Sequence, residues 1–126
     1  MTVVATTPTS MAATRADLVA QMTAAGIPNV TGDPRLQPPG VLVDVPDTID
    51  TITAAAGWRV QYVVKVVAAP PGDAEAADWL LATTQQVLQV FGYGAAARVG
   101  TVTVDGKDCP AYIVTQTLTV TNPAPC

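Results

Sequence analysis

The segment Trp58–Val67, with the sequence WRVQYVVKVV, alternates apolar and mixed side chains. Successive side chains of a β-strand point to opposite faces, so the even-numbered residues predict a core-facing side and the odd-numbered residues a mixed side. At about 3.3 Å for each residue, the strand would extend about 33 Å, which is long for a small domain. This length favours a sheet that continues past one subunit; the alternative is a strand with a frayed end.

In two segments the apolar residues recur with the period of an α-helix. The first covers residues 12–25, where Thr14 and Asp17 resemble a capping box and Gly26 predicts the end of the helix. Its predicted buried face consists of Leu18, Val19, Met22 and Ala25. The second covers residues 74–91. Its predicted apolar stripe consists of Ala77, Leu80, Leu81, Thr84, Leu88 and Phe91.

The remaining segments predict short strands and loops. The density of proline and glycine in 27–40 indicates a loop, and the β-branched residues of 41–45 predict a strand. Residues 47–57 fit either a short helix or an extended loop. Residues 98–104 and 111–120 predict a hairpin, because an Asp-Gly pair between them favours a tight turn.

These elements predict a single α+β domain over residues 1–126. The expected fold is a mostly antiparallel four-stranded sheet with two helices on one face, in the order α-β-β-α-β-β. The Thr- and Pro-containing ends, 1–10 and 121–126, are expected to be flexible arms. The N-terminus lacks the pattern of a signal peptide, and no apolar run has the length of a membrane helix.

The composition gives little support to catalysis. The chain has no histidine, which removes the commonest general base and most zinc sites. Cys109 is expected to be a half-buried inert thiol and Cys126 an exposed one, both reduced. Asp44, Asp47 and Asp50 cluster in sequence, but their spacing matches no calcium loop. No enzyme activity, cofactor or metal is therefore predicted.

The charge content bears on partners. The net charge is −4, and the basic residues are dispersed, so sequence-specific nucleic-acid binding is not expected. Only 13% of residues are charged, against about 25% in ordinary domains. This favours a surface that other subunits partly cover, although alanine and threonine could also replace charge on a soluble monomer.

The order of segments resembles a known family of virus assembly proteins. An Ala-rich helix precedes a Pro/Gly loop and the strand VLVDV, and the strand WRVQYVVKVV and a PPGD turn follow. The helix DAEAADWLLATTQQVLQVF and the hairpin RVGTVTVDGKDCPAYIVTQTLTV complete the series. Over about residues 12–120, this arrangement resembles the tail terminator proteins of long-tailed phages of siphovirus type that infect high-GC actinobacteria.

The resemblance implies a structural protein of the virion, assembled in the host cytoplasm. Tail terminators form a homohexameric ring that caps the head-proximal end of the tail tube and stops its polymerisation. The ring joins the tail to the head–tail connector protein, and the genome passes through its lumen. The alternatives are another neck or tail component, such as a connector stopper or a tube-like protein, or a small ligand-binding module.

A ring of this kind needs contact residues on its surface. Trp79 lies off the predicted stripe of the second helix and is a candidate contact residue. The loops 28–40 and 46–57 are expected to face the tube or the connector. The predicted interface set is Trp79, Arg59, Lys65, Asp47, Asp50 and Arg35.

Overall fold

The computed structural model describes residues 11–33, 37–51, 57–68, 74–92, 94–104 and 106–121. The two helices are α1 (Met11–Ala24) and α2 (Ala74–Phe91). The strands are β1 (Val30–Thr31), β2 (Gly40–Val43), β3 (Thr48–Thr51), β4 (Gly57–Val67), β5 (Ala96–Val104) and β6 (Lys107–Thr121). Residues 1–10, 34–36, 52–56, 69–73, 93, 105 and 122–126 lie outside the described residues, and with them Arg35, both predicted arms except residue 121, and the predicted PPGD turn.

The strands form a six-stranded sheet in the order β1-β2-β4-β6-β5, and β3 pairs with β4 beyond the end of β2. The pairing of β1 with β2 is parallel, and the other pairs are antiparallel. The α+β class with two helices and a mostly antiparallel sheet is confirmed. The predicted four strands and the order α-β-β-α-β-β are wrong, because the observed order is α-β-β-β-β-α-β-β.

The two unpredicted strands, β1 and β3, are short and depend on their neighbours. The Val41 N–H donates to the Asn29 carbonyl oxygen, which brings β1 beside β2 within the Pro/Gly segment. The Asp47 N–H donates to the Gln61 carbonyl oxygen at 2.8 Å, and the next four residues form β3 against β4. A helix capped by Asp47 is therefore wrong for residues 48–51.

The core lies between the helices and one face of the sheet. Val60, Val64 and Val66 of β4 are fully buried there with Leu18 and Met22 of α1. The α2 side chains Leu80, Val87 and Phe91 join the same cluster, so both helices cover one face.

A buried hydrogen bond connects α1 to the central strand. Tyr62 of β4 is fully buried, and its hydroxyl shares a hydrogen bond with the Thr14 side chain. Burial raises the pKa of Tyr62 above its ordinary value of 10.0, and the bond to Thr14 offsets part of this rise. The predicted capping box is wrong, because α1 begins at Met11 and Thr14 faces the core from within the helix.

The end of α1 follows the predicted stop signal. Gly26 has a φ of 89°, and the Ile27 N–H donates to the Met22 carbonyl oxygen at 3.2 Å. This is the Schellman arrangement, in which the left-handed residue closes the helix and apolar residues on both sides of it pack together. Both Met22 and Ile27 are buried.

We expect Gly26→Ala to lower the free energy of unfolding by about 1 kcal/mol, since a side chain disfavours positive φ. No atom lies within 4 Å of the position of the added Cβ, so the loss would report backbone strain alone. Gly26→Asn is the matched control, because asparagine tolerates this conformation, and it should lose less. Urea unfolding measures both variants, and equal losses would contradict this explanation.

Candidate self-association edges

The first unpaired border of the sheet is the outer side of β5, which we name the β5 edge (Ala96–Val104). Within the described residues, β5 pairs with β6 alone. Val99 lies opposite Tyr112, which lies opposite Val66, so its side chain is on the helix-covered side of the sheet. Since 72% of the Val99 side chain is exposed, neither α1 nor α2 covers it. The adjacent Arg98 points to the other side and is also exposed.

The second border lies beyond the end of β2, at the outer side of β3, which we name the β3 edge (Thr48–Thr51); among the residues that the structure describes, β3 pairs with β4 alone. All four of its residues are exposed. Ile49 lies opposite Val60, which places it on the helix-covered side, where 50% of it is exposed. Asp50 lies opposite Arg59 and points to the other side of the sheet. The two edges thus present the same types of side chain on the same sides, with opposite charges.

Two large exposed apolar side chains, Ile49 and Val99, lie on these borders. In the described part of the chain, the other large exposed apolar side chains are Val45 and Leu81. Val45 lies three residues before the first residue of the β3 edge. Leu81 is on the flank of α2 that points away from Gln86, which faces α1. Single exposed apolar residues are ordinary, but apolar residues on an open strand edge favour pairing with another chain.

At the level of β1 and β2, a charged cluster holds α1 against the sheet. The Arg15 Nε donates to the carbonyl oxygens of Val43 at 3.1 Å and Asp44 at 3.2 Å, and its Nη2 donates to the Gly32 carbonyl oxygen. The Lys65 Nζ lies 2.9 Å from Asp44 Oδ2. This cluster connects α1, β2 and β4.

The pKa of Asp44 reflects these neighbours. Burial alone would raise it, but the hydrogen bonds from Lys65 and the Val45 N–H and the positive charges of Lys65 and Arg15 hold it below 3.8. A carboxylate whose pKa is lower in the folded protein than in the unfolded chain contributes its full stabilisation at pH values above the unfolded-state pKa. The contribution is lost as the pH falls through the folded-state value.

We therefore expect Asp44→Asn to lower the free energy of unfolding by about 1 kcal/mol at neutral pH. The difference from the wild type should shrink as the pH falls below 3.8, the ordinary pKa of this group. Denaturant unfolding from pH 7 to pH 3 measures it. Asp78→Asn is the control, since Asp78 is exposed on α2. A difference that stays constant with pH would contradict the assigned ion pair.

The structure separates the six predicted interface residues. Asp50 and Arg59 lie opposite each other on β3 and β4, and Asp47 is exposed just before β3. Lys65 instead pairs with Asp44. Arg35 lies outside the described residues.

Trp79 is half-buried and packs against the core cluster. The buried face of α2 consists of Leu80, Thr83, Thr84, Val87 and Phe91. The apolar stripe predicted from the sequence is therefore rotated about the helix axis relative to the observed buried face. Trp79 borders the buried face, while 57% of Leu81 is exposed. A role of Trp79 in contacts stays a prediction.

Val99, Ile49 and Arg98 were not among the contact residues predicted from the sequence. Val99 and Arg98 belong to a predicted strand, but nothing in that strand indicates that it lies at a border. These residues can be recognised as edge residues only when the order of the strands in the sheet is known.

A surface groove of about 380 Å³ lies between α1 and α2. Its lining consists of Gln21, Ala24, Ala25, Gln86, Gln89 and Val90. Ala24, Ala25 and Gln89 are exposed, so the groove is open to solvent. Sites for small molecules usually enclose most of the ligand, and this groove lacks that enclosure.

The described residues offer few reactive groups. Cys109 is a free thiol within β6 and is buried, more deeply than the half-buried position expected for it. Across the described ranges, no three His, Cys, Asp or Glu side chains are grouped to hold a metal ion. No helix in the described part of the chain is long and apolar enough to cross a membrane.

Comparison of the chain with protein-family models, curated proteins and solved structures found no match.

Proposed function

We propose that this protein is a structural subunit of a long-tailed phage that forms a ring on the head-proximal end of the tail tube. The ring ends polymerisation of the tube protein and joins the tail to the head–tail connector protein. It is a homohexamer in the neck of the virion, and the genome passes through its lumen without sequence-specific binding. No catalysis or cofactor takes part.

The observation that carries this proposal is the pair of unpaired, partly apolar edges on opposite borders of one sheet. Soluble monomers usually protect edge strands with charge, proline or a covering element. The β5 edge has one charged residue, Arg98, and no proline. Two different edges on one subunit suit head-to-tail contacts, which close into a ring when the rotation between neighbours allows it.

The composition and the segment order add support. A net charge of −4 gives the ring a weakly acidic surface, which disfavours adhesion to the passing genome. The low charged fraction suits subunits that cover one another. The resemblance of the segment order to tail terminators selects this role over another neck or tail component. The groove between α1 and α2 is open, so it supports a ligand-binding function less than the two strand edges support self-assembly.

Light scattering and electron microscopy of the purified protein test the assembly. We expect closed rings of about six subunits, in solution or on added tail tubes. A phage that lacks the gene should make over-long, headless tails, because nothing caps the tube, and the supplied protein should restore tail length. A protein that remains monomeric, binds no tube and leaves tail length unchanged would refute the proposal.

A further inference from the structure

The strand directions decide how two copies can meet. β5 runs antiparallel to β6, and both β6 and β3 run antiparallel to β4. The β5 and β3 edges therefore run in opposite directions at opposite borders of the sheet. A second copy placed beside the first in the same orientation brings its β3 edge antiparallel against the β5 edge. The helices of both copies then cover the same face.

We propose that the β5 edge of one copy pairs with the β3 edge of the next copy, with Val99 opposite Ile49. This inference rests on the self-assembly proposed above and names its contact. Both side chains are exposed on the helix-covered side, and pairing would remove them from water. The partner of each edge is thus a second copy of this chain.

The same register matches the charges on the other side of the sheet. In an antiparallel pair, one step back along β5 accompanies one step forward along β3. Arg98 therefore falls opposite Asp50, and these are the only charged residues of their strands. A parallel pairing with Val99 opposite Ile49 would place Arg98 opposite Thr48 instead. Opposite charges on facing strands attract, so the antiparallel register satisfies both sides.

Asp50 would then lie between two guanidinium groups. Within its own chain it faces Arg59, and the next copy would bring Arg98 to its other side. The row of Arg98, Asp50 and Arg59 alternates in charge across three neighbouring strands. Two of the predicted interface residues, Asp50 and Arg59, thereby gain a place in the contact.

The stagger of the edges indicates a closed sheet. Val99 lies at the level of Val66 on β4, whereas Ile49 lies at the level of Val60, six residues away. Six residues correspond to about 20 Å along the strands, and four strands in each copy to about 19 Å across them. With this shift along the strands and this width across them, a closed sheet would have its strands tilted by about 45° from the barrel axis. This value is at the upper end of the tilts found in closed barrels.

Disulfide trapping tests this register. Residues directly opposite in an antiparallel pair have Cα atoms about 4.5–5.5 Å apart, which a disulfide can span. In the full chain with Cys126→Ser, a tagged Val99→Cys protein is mixed with an untagged Ile49→Cys protein and oxidised with diamide. Cys109 stays in place because it is buried. We expect a covalent heterodimer of tagged and untagged chains.

Thr101→Cys mixed with Ile49→Cys is the matched control, since Thr101 is exposed on the same side of β5 but two residues out of register. The heterodimer yield should be severalfold lower for this diagonal pair. Val99→Cys alone should give little covalent dimer, because the proposed contact joins two different edges.

Equal yields from both mixtures, a main product from Val99→Cys alone, or the absence of a cross-link both in solution and on added tail tubes would overturn the inference. Rings that form without this cross-link would overturn it and leave the proposed function intact. Cross-linked subunits that fail to restore tail length would keep the inference and refute the function.

Discussion

Replacing Leu18 by alanine is expected to lower the free energy of unfolding by about 3 kcal/mol, within the range for buried leucines. Leu18 is 0% exposed and belongs to the core cluster between α1 and the sheet. A loss of this size is a large part of the total stability of a small domain, which is about 5–15 kcal/mol. Urea unfolding followed by circular dichroism measures the change.

The control is the same substitution at Leu81 of α2. Because 57% of Leu81 is exposed, Leu81→Ala should change the free energy of unfolding by less than about 0.5 kcal/mol. The pair also tests the observed buried face of α2, since the hydrophobic pattern alone places both leucines in the core. Similar losses for the two variants would contradict the observed orientation of the helix.

Sequence reasoning succeeded where the signal is local. Helix α2 was predicted at its observed bounds, 74–91, and α1 and β4 within one residue at each end. The period of the apolar residues and the stop at Gly26 act within a few turns of the chain. The hairpin was also predicted from its turn sequence. The strand β6, however, begins at Lys107 and not at the predicted residue 111.

Sequence reasoning failed where the fold depends on distant partners. β1 and β3 are too short to show a period, and each is defined by the strand beside it. The buried face of α2 depends on which strands lie beneath the helix, so Leu81 was misplaced. The candidate edges had no sequence signal for the same reason: a strand is an edge only with respect to the order of the whole sheet.

The largest expected effect on assembly comes from a charge placed on either edge. Val99→Lys and Ile49→Lys should each weaken self-association at least tenfold, which corresponds to about 1.4 kcal/mol, because burial of an unpaired ammonium group is unfavourable. Both positions are exposed in the single subunit, so the fold should be unaffected. Ala82→Lys, on the exposed side of α2, is the control and should assemble like the wild type.

An equimolar mixture of the two edge variants separates head-to-tail pairing from other contacts. The Val99→Lys subunit keeps an intact β3 edge, and the Ile49→Lys subunit keeps an intact β5 edge. One contact between the two is therefore still possible, but a third subunit finds no intact edge. We expect each variant alone to sediment as a monomer and the mixture to stop at heterodimers. Rings in the mixture, or homodimers of either variant, would show that subunits meet through surfaces other than these two edges.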